Sequence, residues 1–179
     1  TVDGRPVKAV AQVTKQGWVY TFDRVTGRPL WPIEERPVAT DTDLEGERLS
    51  PTQPFPTKPA AFEYQGTSVD DLVDFTPEIR RLAIEAVKNF RLGPIFTPLV
   101  LRGTIMRPSV GGGANWSGAG IDPETGILYV PSRNVHSVIR YRDPKPGEPA
   151  TVRYILARPD GGTFDVVGGP QMPQGLPLW

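Results

Sequence analysis

The chain has no cysteine and a single histidine. The first absence rules out a disulfide framework, a thiolate metal site and a cysteine nucleophile, and leaves the redox compartment open. The second means that a histidine metal site or a Ser-His-Asp set would depend on His136 alone. That residue lies in "RNVHSV", which reads as a loop, and is taken as structural. Charge of one sign is missing too: 20 basic residues balance 20 acidic ones, so nothing favours nucleic acid or an anionic membrane as a partner. No stretch approaches the roughly 18 consecutive apolar residues of a membrane helix, and no basic, apolar leader opens the chain. There is no G-x-G-x-x-G, no G-K-[ST] and no calcium-loop pattern. Glu34-Glu35 and Asp70-Asp71 read as solvated surface.

Turn formers, by contrast, are abundant. With 19 glycines and 21 prolines among 179 residues and 38% hydrophobic content, the composition suits a packed, mainly all-β chain with many reversals. "VKAVAQVTKQGWVYTF", residues 7 to 22, carries β-branched and aromatic residues on both sides of Gln16-Gly17 and reads as a hairpin with Lys15 at its tip. "DRVTG" then turns the chain, through an Asx-type side-chain bond and a glycine free to take positive φ.

Residues 32 to 94 read as a long surface excursion. In "SPTQPFPTKP" proline opposes both helix and central-strand pairing. Within the excursion one helix is expected over 77 to 92, with Thr76 as N-cap, Pro77 at the first helical position and an apolar stripe from Ile79 to Phe90. Strand-like pieces follow at 95–101, 103–109, 114–122, 126–132, 137–143 and 151–157, and 158 to 179 reads as coil. One echo links the two β regions: "YTFDRVTGRPLW" (20–31) and "AGIDPETGILYV" (119–130) share an apolar residue, Asp, two residues, Thr-Gly and an apolar strand. Such a repeat suggests propeller blades.

Two places could carry chemistry. In "GGGANWSGAG", residues 111 to 120, three glycines allow close backbone approach, Trp116 offers a stacking face and Asn115 both a donor and an acceptor. This suits an aromatic polar cofactor; the alternative is a glycine turn leading into a core tryptophan. Lys15 is either a solvated hairpin charge or, beside an anionic or carbonyl-bearing ligand, a group that stabilises negative charge.

Taken in order, "TKQGWVYTFDRVTG", "SPTQPFP" and "GGGANWSGAGIDPETGILYVPS" resemble successive landmarks of the quinoprotein dehydrogenases that carry pyrroloquinoline quinone (PQQ), in their glucose-dehydrogenase-like branch. The resemblance implies a partial β-propeller of antiparallel four-stranded blades across 1–179: a blade hairpin at 7–31, an inter-blade insertion at 32–94 with its helix, further blade strands at 95–157, and coil at 158–179. It implies that Lys15 is catalytic and binds the cofactor, that Asn115 and Trp116 also bind it, and that Trp31, with Gly27 in its turn, packs between blades. The implied reaction oxidises a sugar or alcohol hydroxyl in the periplasm and passes electrons to a quinone or cytochrome acceptor. Calcium is implied as well, its ligands and the catalytic aspartate being expected upstream of Thr1. The fragment alone is expected to be inactive and to self-associate through exposed blade edges. Two rivals remain: a scaffold propeller without a cofactor, and a carbohydrate-binding β-domain that uses Trp18 or Trp116 as a platform.

Overall fold

In the computed structural model, which describes residues 2–157, 172 and 176–179, strands dominate and one α-helix is present. The hairpin expected around Gln16-Gly17 pairs β1 (Ala9–Val13) with β2 (Val19–Asp23), Val13 opposite Val19. Thr14 closes the turn: its amide and its hydroxyl both donate to Trp18 O, each at 3.0 Å, while Gly17 takes φ +82°. Lys15 is thereby fixed at the tip. Trp18 is buried against Phe55 and Phe96, with ring centroids 5.1 and 6.0 Å away.

The two D-x-x-T-G segments share the same pair of backbone bonds. Asp23 N donates to Arg28 O at 2.8 Å and Gly27 N to Asp23 O at 2.8 Å; Asp122 N donates to Ile127 O at 3.0 Å and Gly126 N to Asp122 O at 2.8 Å. Both glycines take φ +72°, a conformation that costs glycine nothing. Each aspartate turns its carboxylate onto the following residues, Asp23 onto the amides of Val25 and Thr26, and Asp122 onto Glu124 N and the Thr125 hydroxyl. Those bonds hold both carboxyls below the usual range, chiefly through the Thr26 amide for Asp23 and the Thr125 hydroxyl for Asp122. The second turn joins β6 (Gly120–Ile121) to β7 (Leu128–Tyr129). The internal repeat is thus a structural one.

The excursion departs from its sequence reading. Prolines do not keep residues 32 to 59 out of a ladder: β3 (Ile33–Pro37) pairs with β4 (Thr52–Pro56) over its whole length. The flanking bonds Val38 N to Pro51 O and Thr57 N to Pro32 O set the alternation. Hydrogen-bonded pairs then fall at 36↔53 and 34↔55, and every proline inside the ladder, Pro37, Pro54 and Pro56, occupies a position that needs no donor. The ladder ends where Pro32 and Pro51 can accept but not donate.

Helix α1 (Pro77–Val87) begins as expected, with Ile79 N donating to the Thr76 hydroxyl at 3.2 Å, and ends earlier than expected, at Val87 rather than 92. Its stripe docks through Ala83 and Val87 onto Leu72, Val73, Ile105, Met172 and Leu178, with Phe90 and Val138 at the margin. Burying an Ile or Leu side chain there contributes about 1.5–3 kcal/mol. Ile105 belongs to β5 (Thr104–Met106), which pairs with β8 (Ser137–Ile139). β9 (Tyr141–Arg142) pairs with β10 (Ile155–Leu156).

The described strands form five two-stranded sheets rather than four-stranded blades. Residues 95 to 101 form turns and irregular chain instead of a strand: Pro94 and Pro98 remove donors and Phe96 sits at φ +67°. The pieces at 114–122 and 126–132 shorten to two residues each, cut by Gly118, Pro123, Gly126 and Pro131. Most of the coil expected at 158–179 lies outside the described residues. Among those described no helix is long and apolar enough to cross a membrane.

Candidate functional site

The two places singled out in the sequence meet. Residues 110, 112 and 113 enclose Lys15 on three sides: Gly113 N donates to Lys15 O at 2.8 Å, Gly112 lies against the lysine stem, and Lys15 Nζ donates to Val110 O at 3.3 Å. A Cβ at position 112 would stand 2.6 Å from Lys15 Cγ, and the residue takes φ +87°, so only glycine fits without strain. Beneath the contact a small core of Val13, Val19 and Ala114, flanked by Phe62, Leu128 and Val130, ties the hairpin to the glycine loop and the second D-x-x-T-G ribbon.

The loop itself is braced from behind. Gly112 N donates to Ser109 O at 2.7 Å, Arg133 N to Gly113 O at 2.8 Å, and Val110 N to the Ser137 hydroxyl at 3.0 Å. Glu63 is wedged between Gly17 and Gly113 and accepts from the Ser132 hydroxyl. Lysine's long stem is therefore held, although the residue as a whole is exposed.

Asn115 and Trp116 extend from the same loop. With the Asn115 amide assigned in the orientation that satisfies both its ends, its nitrogen donates to Gly111 O at 3.0 Å and its oxygen accepts from the Trp116 indole N–H at 2.9 Å. Trp116 is 86% exposed, which overturns the reading of it as a core side chain; its ring face is free for a partner. Trp18, at 5% exposure, cannot serve as a surface stacking platform. Trp31 is half-buried. Beside Lys15 opens a cleft of about 280 Å³, walled by Phe96, Ile105, Met106 and Pro108.

His136, taken from the sequence as structural, is half-buried. Its ring stacks on Trp179, centroids 4.0 Å apart, and Nε2 is buried without a hydrogen-bond partner among the described residues. Burial first, and the nearby Arg107 guanidinium second, push its pKa down to about 4, against a smaller opposing pull from Asp71. Among the described residues no three histidine or acidic side chains gather as a metal site would require.

Residues that sequence reasoning did not single out complete the site: Val110, Ser137, Glu63 and Ser132. Ser137 was visible only as the first residue of a strand-like piece, and no local pattern marks a partner 27 residues away.

A planar, anionic aromatic group fits these side chains. The ammonium supplies the countercharge, the free indole a stacking face, and the glycine cradle a backbone without side chains to obstruct approach. The fold and site together define a β-rich domain in which a glycine loop packs on a hairpin tip. Residues 1–165 match the family described as PQQ glucose/ethanol/alcohol dehydrogenase, beta-propeller domain, and the chain belongs to that family.

Several relatives are named as dehydrogenases. The glycerol dehydrogenase large subunit of Gluconobacter oxydans (strain 621H) is 32% identical over 127 residues, which is 70% of this chain and 17% of that protein. The quinate/shikimate dehydrogenase (quinone) of Acinetobacter baylyi is 30% identical over 128 residues, 72% and 16% of the two chains. The quinoprotein glucose dehydrogenase of Escherichia coli K12 is 27% identical over 155 residues, 83% and 18%. The chain thus spans less than a fifth of the length of each of these relatives. No solved structure matches it.

Proposed function

We propose that this chain supplies one wall of the PQQ site in a quinoprotein dehydrogenase that oxidises a sugar or alcohol hydroxyl, with Lys15, Asn115 and Trp116 holding the cofactor. The observation that carries the reading is the enclosure of Lys15 by Val110, Gly112 and Gly113, which joins the two candidate motifs into one place. PQQ, when bound, supplies the two-electron oxidant for the hydroxyl carbon. The Lys15 ammonium would bind it by charge and offset the negative charge that gathers as electrons arrive. Trp116 would give a stacking face, and Asn115, by tying the indole N–H to the Gly111 carbonyl, would fix the direction of that ring.

Removing the hydroxyl proton falls to an aspartate outside these 179 residues, and calcium to ligands outside them as well. Electrons leave to a quinone or cytochrome acceptor, in the periplasm. The described strands pair two by two, and the reading takes the repeated D-x-x-T-G ribbons as parts of four-stranded blades completed in the longer protein, with residues 32–94 inserted between blades.

Calorimetric titration of PQQ with calcium into the full-length protein and its Lys15→Ala variant tests this. The variant should bind at least tenfold more weakly and turn over slowly. Unchanged affinity and turnover would remove Lys15 from the site, and absence of PQQ binding by the parent protein would favour a scaffold propeller.

A further inference from the structure

The ammonium end of Lys15 is held by the main-chain carbonyl of Val110, and Val110 has its own anchor. Ser137 opens β8, opposite Met106 of β5, and is completely buried. Its backbone is set by the ribbon and its hydroxyl accepts from Val110 N at 3.0 Å. The carbonyl of the same Val110 accepts from Lys15 Nζ at 3.3 Å. One bond therefore fixes the amide side of Val110 and the other reads out the direction of its carbonyl. No covalent proximity helps: Ser137 and Val110 are 27 residues apart, Val110 and Lys15 are 95.

A hydroxyl in a fully buried place needs a hydrogen-bond reason to be there, because alanine would fill nearly the same volume without a polar atom to satisfy. Here the reason is the Val110 amide. If the bond is lost, the Ser109–Val110 peptide keeps only the Gly112 N bond to Ser109 O, the Val110 φ and ψ that join it to the next peptide are less constrained, and the Val110 carbonyl in that next peptide can turn away from the ammonium. The Gly112 and Gly113 contacts would still hold the lysine backbone and stem. The loss falls on the end of the side chain that does the chemistry.

We propose that Ser137 is a positioning residue for Lys15, acting through the backbone of Val110. The inference rests on the reading of Lys15 as a cofactor-holding residue for its consequence in function, though not for the coupling itself. It also assigns the β5–β8 ribbon a task beyond packing: it carries the geometry of the proposed site from the helix-docked core to the hairpin tip.

The test uses the full-length protein, without PQQ and then with it. In the apoprotein, Ser137→Ala should raise hydrogen exchange at the Val110 amide about tenfold and change the rate of reductive methylation of Lys15, followed by mass spectrometry, by about threefold to tenfold, as expected from loss of one hydrogen bond. Thr104→Val, which removes another completely buried hydroxyl from the same ribbon, should leave both rates unchanged. With PQQ, Ser137→Ala should weaken binding about threefold to tenfold, and the Ser137→Ala/Lys15→Ala double variant should bind no worse than Lys15→Ala alone. Unchanged exchange and methylation, or additive losses in the double variant, would overturn the proposal. Should Lys15→Ala leave PQQ binding intact while Ser137→Ala still alters Lys15 methylation, the functional reading fails and the coupling stands.

Discussion

Gly112 presses on the stem of Lys15 so closely that any Cβ there would lie within 2.8 Å of the lysine Cα, Cβ and Cγ atoms. Two penalties coincide at this position, the collision and a positive φ of 87°. Gly112→Ala should therefore destabilise the chain by about 1–3 kcal/mol and displace the hairpin tip. PQQ affinity of the full-length protein should fall by at least tenfold, measured by calorimetry. A variant that binds normally would mean the cradle gives way at no consequence to the site.

Gly27 and Gly126 separate the two penalties. Both take φ +72°, yet a Cβ at either would meet nothing within 4 Å. Alanine at each should cost about 1–2 kcal/mol from backbone strain alone, and asparagine, which tolerates this conformation, less. Urea denaturation of the four single variants reads the difference. Equal losses for alanine and asparagine would show that something other than φ controls these turns.

Local chemistry was what the sequence displayed best. Thr76-Pro77, Gln16-Gly17 and the two D-x-x-T-G turns each complete their bonds within a few residues, so composition and spacing sufficed to place them. The contacts that build the site do not work that way. Lys15 meets Val110 across 95 residues and Ser137 braces Val110 across 27, and no periodicity encodes either pairing. Reading 95–101 as a strand failed for a related reason: its apolar side chains are needed at the cleft and in the Trp18–Phe55–Phe96 cluster, and that tertiary demand overrides β propensity. Proline-rich 51–56 failed in the opposite direction, because a ladder excludes proline only at alternate positions.

That alternation makes a sharp prediction for β3. Position 35 lies opposite Pro54 and donates nothing to the ladder, whereas position 34 lies opposite Phe55 in a hydrogen-bonded pair. Glu35→Pro should be tolerated within about 1 kcal/mol, while Glu34→Pro should cost about 3 kcal/mol by removing a donor from the ribbon. Thermal unfolding of the two variants distinguishes them. Similar losses at both positions would mean that the register assigned to β3 and β4 is wrong.

His136 should make stability depend on pH in a definite direction. Its ring is sandwiched against Trp179 with Nε2 buried, and Arg107 and Asp71 are the charged groups that bear on it. Folded, it stays neutral down to about pH 4; unfolded, it takes up a proton near 6.5. Between those values the unfolded chain binds more protons, so stability falls as pH drops through this window and no further on its account below about 4. Carboxylates titrate in the lower part of the same range, so the comparison must be with a non-titrating ring. His136→Phe keeps a flat partner for Trp179 and removes the proton site. The unfolding midpoint of the parent chain should therefore drop more steeply than that of the variant from pH 6.5 to 4, and the two curves should run parallel above pH 7. Parallel curves throughout would show that the imidazole accepts its proton in the folded chain as readily as in the unfolded one, and that the stack on Trp179 does not shield it.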